Sequence, residues 1–186
     1  MNPQTLPAGP AQAPAEWIIE PRYTTVHFSV KNLFFFTVEG DFTDFRGELA
    51  RNEQELGHSR VATKIRASSI ETRNRRRDRH LTSADFLEVE RYPEILFQST
   101  RVEKGRDRDA LIVTGILTIK GRSKEVVLNV TETDHSRSPQ GEEVAYYLAQ
   151  TKVDRFDFGI TYGRWMIGRS LKITIQAQAT RQARSQ

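Results

Sequence analysis

Short segments in which apolar and polar residues alternate occur along most of the chain. The alternation is cleanest near the C-terminus, where Leu171 and Ile173 fall on one face of an extended segment and Lys172 falls on the other. Comparable segments lie at 25–31, 45–50, 60–67, 94–99, 111–119, 125–130 and 171–179, with weaker ones at 38–42 and 146–153. A period of two is the signature of strands that bury one face, so the pattern predicts about eight or nine β-strands.

Strands with a single apolar face favour an antiparallel sheet whose other side is wet. Because strands are many and predicted helix is scarce, we expect the sheet to close on itself, which buries the apolar face and removes the edges. Turn-forming residues at 120–123 and 138–141 predict tight connections between strands. The predicted fold class is therefore all-β with minor helix: an extended antiparallel β-barrel of about eight strands with a short helical crossover.

The longest connection between predicted strands, from Ser69 to Ser99, contains the predicted helix. It begins with an arginine-rich run, passes a short helical signal at 82–87, and enters a strand after Pro93. Because this is the one long crossover in the predicted barrel, we expect it to lie across the mouth of whatever the strands enclose. A helical turn is also predicted at 32–36, between the first two strands.

The residues predicted to face inward are compatible with two kinds of interior. They combine large aromatic side chains with small residues, namely Phe28, Phe42, Phe45 and Phe97 with Thr63 and Gly115. An eight-stranded barrel is either filled by its own side chains or just wide enough to hold one ligand. Periodicity alone does not distinguish a packed core from an elongated apolar cavity.

With 186 residues, of which 37% are apolar and 28% charged, the chain is long enough for one domain with a substantial core. We predict disordered tails at 1–15, which is rich in proline and alanine, and at 181–186, with one domain at 16–180. The chain contains no cysteine, which excludes disulfides, thiolate zinc sites and cysteine nucleophiles. No apolar run approaches the roughly 20 residues of a membrane helix, and the first residues lack the features of a secretory signal. The expected location is cytoplasmic, or periplasmic if a leader has been removed.

The net charge of +4 and an isoelectric point near 9.5 allow an anionic partner, such as a phosphorylated small molecule, a membrane surface or a nucleic acid. Much of the positive charge is concentrated in one arginine cluster, which comprises Arg73, Arg75, Arg76, Arg77 and Arg79. Guanidinium groups bind phosphate in bidentate geometry. The alternative interpretation is a solvated loop whose arginines pair with Asp78 and Asp85.

Motifs for catalysis or metal binding are absent from the sequence. The four histidines, His27, His58, His80 and His135, are not at metal-ligand spacing. There is no nucleophile elbow, phosphate-binding loop or dinucleotide fingerprint. Charged and aromatic residues meet at 154–160, where Arg155 or Asp157 could lie at the barrel rim. The alternative for that segment is an arginine–carboxylate clamp that closes the barrel.

Several short motifs follow one another in a specific order between Trp17 and about Ala179. They are Phe28-x-Val30, Val38-x-Gly40-x-Phe42-x-x-Phe45-x-Gly47, Ser69-Ile70-x-Thr72-x-Asn74-x-x-Arg77-Asp78-x-His80-Leu81, Ser83, Asp85-Phe86, Tyr92-Pro93-x-Ile95-x-Phe97-x-Ser99, Gly115-x-Leu117-Thr118-Ile119-Lys120-Gly121 and Arg155-x-Asp157-Phe158-Gly159-Ile160. This order resembles the YceI-like family of polyisoprenoid-binding proteins. The resemblance implies a lipocalin-like barrel with a hollow interior that binds a long isoprenoid chain. Tyr23-Thr24 and Asn32 stand where the family often has His-Ser and His, so the headgroup can differ.

The function implied is a non-catalytic carrier for a polyprenyl phosphate or a prenylated quinone, with the lipid as its bound partner and no required cofactor or metal. The predicted ligand-binding residues are Phe28, Val30, Asn32, Phe36, Phe42, Ile65, Arg77, His80, Leu81, Phe86, Phe97, Leu117, Arg155, Phe158 and Trp165. Among them, His80, Leu81 and Phe86 would form a lid, and the polar head would lie near Asn32, Arg77 or Arg155. Transient membrane contact and a homodimer are compatible with this function. One alternative function is a basic module that binds membrane surfaces or nucleic acid, although we do not expect nucleic acid. The other is an enzyme acting on an apolar substrate, which would need an acid–base pair facing the interior.

Overall fold

One antiparallel sheet that closes on itself makes up most of the protein. The computed structural model describes residues 15–32 and 36–182, and within them the chain forms eleven strands and one α-helix. The strands are β1 (Ala15–Ile19), β2 (Thr25–Asn32), β3 (Thr37–Phe42), β4 (Phe45–Arg51), β5 (Arg60–Arg66), β6 (Ile70–Glu71), β7 (Glu94–Lys104), β8 (Ala110–Ile119), β9 (Arg122–Arg137), β10 (Glu143–Asp154) and β11 (Ile167–Arg181). The helix is α1 (Arg75–Thr82).

The sheet closes because the long strand β11 has partners on both edges. It pairs with β10 on one edge, and on the other edge it pairs first with β2 and then with β1, whose Trp17 lies opposite Arg181. β1 and β2 are thus two halves of one wall strand, as are β3 with β4 and β5 with β6. In the described part of the chain, the wall is equivalent to eight antiparallel strands. This confirms the predicted all-β barrel.

Alternate residues of the wall strands face the interior, as the period-two pattern predicts. In β2, for example, Val26 and Phe28 are buried, whereas Lys31 is exposed. Burying one such apolar side chain contributes about 1.5–3 kcal/mol, so the alternation itself specifies which face turns inward. A separate small core forms around the fully buried Trp17, which packs against Ala145 and Ala179 where β1 meets β11.

The alternation does not predict two of the strands, β1 and β6. In β1 the outward-facing Ile18 is itself apolar, which hides the period of two, and β6 has only two residues. The wall begins at Ala15 and ends at Arg181, so each of these residues belongs to a strand and not to a tail. The remainder of both predicted tails, except Gln182, lies outside the described residues. So does most of the helical turn predicted at 32–36, and Asn32 itself ends β2.

The predicted helix at 82–87 is wrong, because the helix lies earlier, in the arginine cluster. The Asn74 side chain caps it by accepting hydrogen bonds from the backbone N–H groups of Arg76 and Arg77, both at 3.1 Å. Arginine is a good helix former, so the run after the cap continues as helix. At the other end, the Ser83 hydroxyl donates to the carbonyl of His80 (2.7 Å), and the chain then forms turns.

Candidate ligand-binding cavity

The interior of the barrel is a cavity of about 900 Å³. Cavities that bind small molecules usually measure roughly 300–1,000 Å³, so this interior can hold a sizeable ligand. Most of its lining is aliphatic or aromatic, including Val26, Phe28, Val30, Phe42, Ile65, Phe97, Leu117, Leu128, Val130, Ala149, Leu171, Ile173 and Ile175. The barrel is therefore hollow, which excludes the packed core that the alternation alone left open.

Twelve of the fifteen ligand-binding residues predicted from the sequence line this cavity. They are Phe28, Val30, Asn32, Phe42, Ile65, Arg77, His80, Leu81, Phe86, Phe97, Leu117 and Arg155. The period of two explains the strand residues in this set. The path of the crossover explains Arg77, His80, Leu81 and Phe86, whereas Arg155 lies in the 3₁₀ turn Arg155–Phe158 that follows β10. Their location is established by the geometry, whereas their binding of a ligand stays a prediction.

Three predicted residues do not line the cavity, which corrects their assignment. Phe158 lies in the 3₁₀ turn Arg155–Phe158 and is buried within the apolar core of the wall, so it is covered by protein. Phe36 and Trp165 are exposed on the outside of the barrel. Both lie in connections beside strand ends, where the chain leaves the wall and the strand period no longer directs side chains inward.

The crossover covers one end of the cavity, as predicted. We call this the crossover end; Asn32, Arg77, His80 and Tyr162 line it. The His80 ring meets the ring of Tyr162 edge-on, with centroids 4.7 Å apart, and its Nε2 lies 2.9 Å from a carboxylate oxygen of Asp85. Arg77 donates from Nε to the Thr72 hydroxyl (2.7 Å). These contacts hold the helix and the turn after it over the cavity.

Arg155 lines the cavity but is occupied as a clamp. Its side chain is buried and donates four hydrogen bonds to backbone carbonyls. The acceptors are Gly168 (2.9 Å, from Nε), Ile160 (2.6 Å) and Tyr162 (2.8 Å) from Nη1, and Ile167 (2.9 Å) from Nη2. Burial lowers the pKa of Arg155, and the neighbouring Asp154 opposes that effect. The sequence allowed Arg155 to act as a clamp, but the acceptors of this clamp are backbone carbonyls and not a carboxylate. Because these carbonyls take four of the five guanidinium N–H groups, little donor capacity remains for a headgroup.

The opposite end of the cavity, which we call the far end, contains polar groups that the sequence did not single out as a cluster. Arg51 donates from Nη1 to the Tyr147 hydroxyl (2.8 Å) and forms an ion pair with Glu132 (3.0 Å). The other carboxylate oxygen of Glu132 lies 3.1 Å from Nδ1 of His135. All four side chains line the cavity. The Arg51–Glu132 pair is partly buried, and an ion pair removed from water is stable only when its polar atoms are satisfied; here each partner has a second contact.

No linear sequence motif predicts this cluster, because its members come from three separate strands, β4, β9 and β10. A usable signal exists nonetheless: Glu132 continues the inward face of β9 after Leu128 and Val130. Extending the period of two beyond the apolar residues would have placed it inside. Hydrophobicity alone predicts this strand only as far as 130, because the alternation of apolar and polar residues ends there.

Burial raises the pKa of Tyr147 to about 12. In the unfolded chain a tyrosine ionises near pH 10, so the unfolded state loses its proton first as the pH rises. The folded state should therefore lose stability between about pH 10 and pH 12, by up to about 2 kcal/mol from this group. We expect Tyr147→Phe to remove that component in urea unfolding at about pH 9.5 and pH 11.5. The exposed Tyr23→Phe serves as control, and an equal alkaline loss in Tyr147→Phe and wild type would contradict the prediction.

A sequence model of the YceI-like domain matches residues 17–179. The chain belongs to the YceI-like family. A UPF0312 protein of Pseudomonas putida (strain F1) is 32% identical over 179 residues, which are 95% of this chain and 92% of that protein. The relationship thus extends over almost all of the YceI-like domain, including both ends of the cavity.

Solved structures share the fold of this YceI-like domain. BcnA of Burkholderia cenocepacia gives a TM-score of 0.77 at 18% identity, covering 86% of this chain and 98% of BcnA. A polyisoprenoid binding domain from Saccharophagus degradans gives 0.67 at 11% identity, covering 89% of this chain and 98% of that domain. At these identities the likeness is one of fold, and it confirms the lipocalin-like barrel.

Within residues 15–32 and 36–182 of the YceI-like domain, no group of three or more His, Asp or Glu side chains is placed to hold a metal ion. Glu132 and His135, which face the cavity, contact each other instead. In the same residues, no helix combines the length and the apolar character that crossing a bilayer requires.

Proposed function

We propose that the protein is a non-catalytic carrier that holds the hydrocarbon chain of one long isoprenoid lipid inside the barrel. The observation that carries this proposal is the hollow interior of about 900 Å³ with an apolar lining between two polar ends. Each CH₂ group removed from water contributes about 0.8 kcal/mol, so a long prenyl chain gains much by entering such a space. Membership of the YceI-like family, and a polyisoprenoid binding domain among proteins of the same fold, support this choice of ligand.

The polar head belongs at the crossover end in this proposal. Arg77 uses Nε and Nη2 to hold Thr72, and Nη1 makes no hydrogen bond within the described residues. The far end is a poorer site for an anion, because its cations are matched by carboxylates. Arg51 pairs with Glu132, and the other two cations that line this end, Lys104 and Arg108, share it with Glu53 and Asp109. A polyprenyl phosphate would therefore place its phosphate near Asn32 and Arg77, with the lid residues His80, Leu81 and Phe86 over its first isoprene units. A prenylated quinone would use the same cavity with a neutral head.

Native mass spectrometry of the full chain tests the function. We expect the protein purified from cells to carry one isoprenoid lipid per chain, and the delipidated protein to take up one added polyprenyl phosphate or prenylated quinone. Competition between these two ligands identifies the preferred head. A protein that carries no lipid after purification and takes up neither ligand is not an isoprenoid carrier.

A further inference from the structure

Apolar side chains are exposed around the mouth of the cavity. Trp165 is 80% exposed, Phe36 74%, Met166 55% and Tyr162 43%. These are half of the large hydrophobic residues that are exposed in the described part of the chain. A cluster of exposed apolar groups on one surface usually marks an interaction site, whereas single ones are ordinary.

These four residues, which we call the aromatic rim, belong to two connections that meet at the crossover end. The backbone N–H of Asn32 donates to the carbonyl of Phe36 (2.7 Å), and Asn32 lies opposite Ile167 in the pairing of β2 with β11. The residues just before Ile167 are therefore beside Phe36. On the other side, the ring of Tyr162 packs against His80 of α1. The rim thus borders the opening that Asn32, His80 and Tyr162 line.

Unpaired positive charge surrounds the aromatic rim. Arg73, Arg75, Arg76 and Arg79 are exposed, and none of them forms an ion pair with a carboxylate in residues 15–32 and 36–182. The two aspartates predicted to neutralise them are engaged elsewhere, since Asp78 accepts from the backbone N–H of Thr72 and Asp85 contacts His80. The interpretation of the arginine cluster as a loop paired with its own carboxylates is therefore wrong. Arg164 adds a further exposed cation, stacked on the Trp165 ring at 5.8 Å.

We propose that the crossover end docks on an anionic membrane surface, with the aromatic rim among the lipid head groups and the arginines of α1 against lipid phosphates. Tryptophan and other amphipathic aromatic residues favour the level of the head groups, and basic residues beside them are attracted by anionic lipids. A nucleic acid would satisfy the arginines but would leave Met166 and Phe36 exposed to water. Docking in this orientation would bring the mouth of the cavity against the bilayer, so that a prenyl chain moves between cavity and membrane without crossing water. Only this consequence depends on the proposed carrier function.

Tryptophan fluorescence offers a direct test, because the chain has two tryptophans and Trp17 is only 1% exposed, so Trp165 reports contact with lipid. The probe is the full chain mixed with vesicles of phosphatidylcholine containing phosphatidylglycerol, compared with phosphatidylcholine alone. We expect a blue shift of the emission and quenching by brominated acyl chains with the anionic vesicles only. Salt should weaken the effect, since it screens exposed charges.

Paired variants separate the two components of docking in vesicle sedimentation. We expect Trp165→Ser with Met166→Ser, and separately Arg75→Ser with Arg76→Ser and Arg79→Ser, each to weaken binding by more than about tenfold. The matched controls are exposed residues elsewhere on the barrel: Leu96→Ser with Val127→Ser, and Arg22→Ser with Arg46→Ser and Arg106→Ser. Thermal unfolding of all variants is compared with that of wild type, so that only folded variants are scored.

Two results would overturn docking at the crossover end. One is the absence of binding to anionic vesicles, including the case in which the protein binds a polyribonucleotide instead. The other is a loss of vesicle binding in the controls as large as that in the rim and helix variants. Lipid uptake measured from detergent, without vesicles, is independent of docking, so failure of this proposal and failure of the carrier function give different results.

Discussion

Replacing Arg155 by methionine is expected to lower the free energy of unfolding by about 3–5 kcal/mol. Methionine keeps much of the aliphatic volume but removes every donor. Four carbonyls of residues 160–168 then lose their partner, at Ile160 in a buried place and at the other three in a partly buried one. A buried polar group left without a hydrogen bond costs about 1–3 kcal/mol, partly recovered where water enters. Arg155→Lys should recover little, because one ammonium group cannot reach acceptors arranged around a planar fork. Urea unfolding monitored by circular dichroism measures both changes.

The matched control is Arg169→Met, which removes the same group from the surface nearby. Arg169 pairs with Asp154, but its side chain is exposed, and water and salt screen such a surface pair, so its loss should change the stability far less than the loss of Arg155. Similar stability of the Arg155 and Arg169 variants would show that the carbonyl clamp does not stabilise the barrel. The clamp also holds the segment that carries Tyr162 and Ile167, so a folded Arg155 variant should have a more mobile mouth.

The strands of the wall could be predicted because their inward positions are apolar and their outward positions polar over most of their length. The alternation predicts β9 only as far as 130, although the strand continues to Arg137, because from Glu132 onward the inward side chains are themselves polar. The same change from apolar to polar inward side chains explains why the alternation does not predict the polar cluster at the far end of the cavity. Hydrophobicity indicates burial in an apolar core, and it does not identify an inward strand position that carries a partly buried ion pair.

Other features depend on distances that no local pattern contains. Arg155 has the same sequence context whether it binds a headgroup or clamps the chain, and only the fold brings the carbonyls of 160–168 around it. The hollow interior likewise followed from the family resemblance and not from the alternation, because the radius of a barrel depends on how all its strands pair. The position of the helix depends on Asn74, whose side chain caps the arginine run, and not on the helical signal at 82–87.

Placing a tryptophan at Thr63 is expected to reduce the uptake of a long prenyl chain by at least about tenfold while leaving the fold intact. Thr63 lies in β5, opposite Phe97 in the pairing with β7, and faces the cavity between its two ends. Because the space beside it is empty, the indole enters the cavity without overpacking the core, and the melting temperature should change little. A long chain must pass this level of the barrel, whereas a short prenol can lie on one side of it. The defect should therefore grow with the length of the chain in native mass spectrometry.

The neighbouring residue provides the matched control, since Ala62 in the same strand is exposed on the outer face. Ala62→Trp adds the same side chain one position away and should leave uptake unchanged. Ala149→Trp, in β10 on the opposite side of the eight-strand wall, fills the cavity from the other direction and should reproduce the effect of Thr63→Trp. Equal uptake of a long chain by wild type and by both folded cavity variants would mean that the lipid binds outside the barrel. The interior would then not be the binding site, whatever lipid the protein carries.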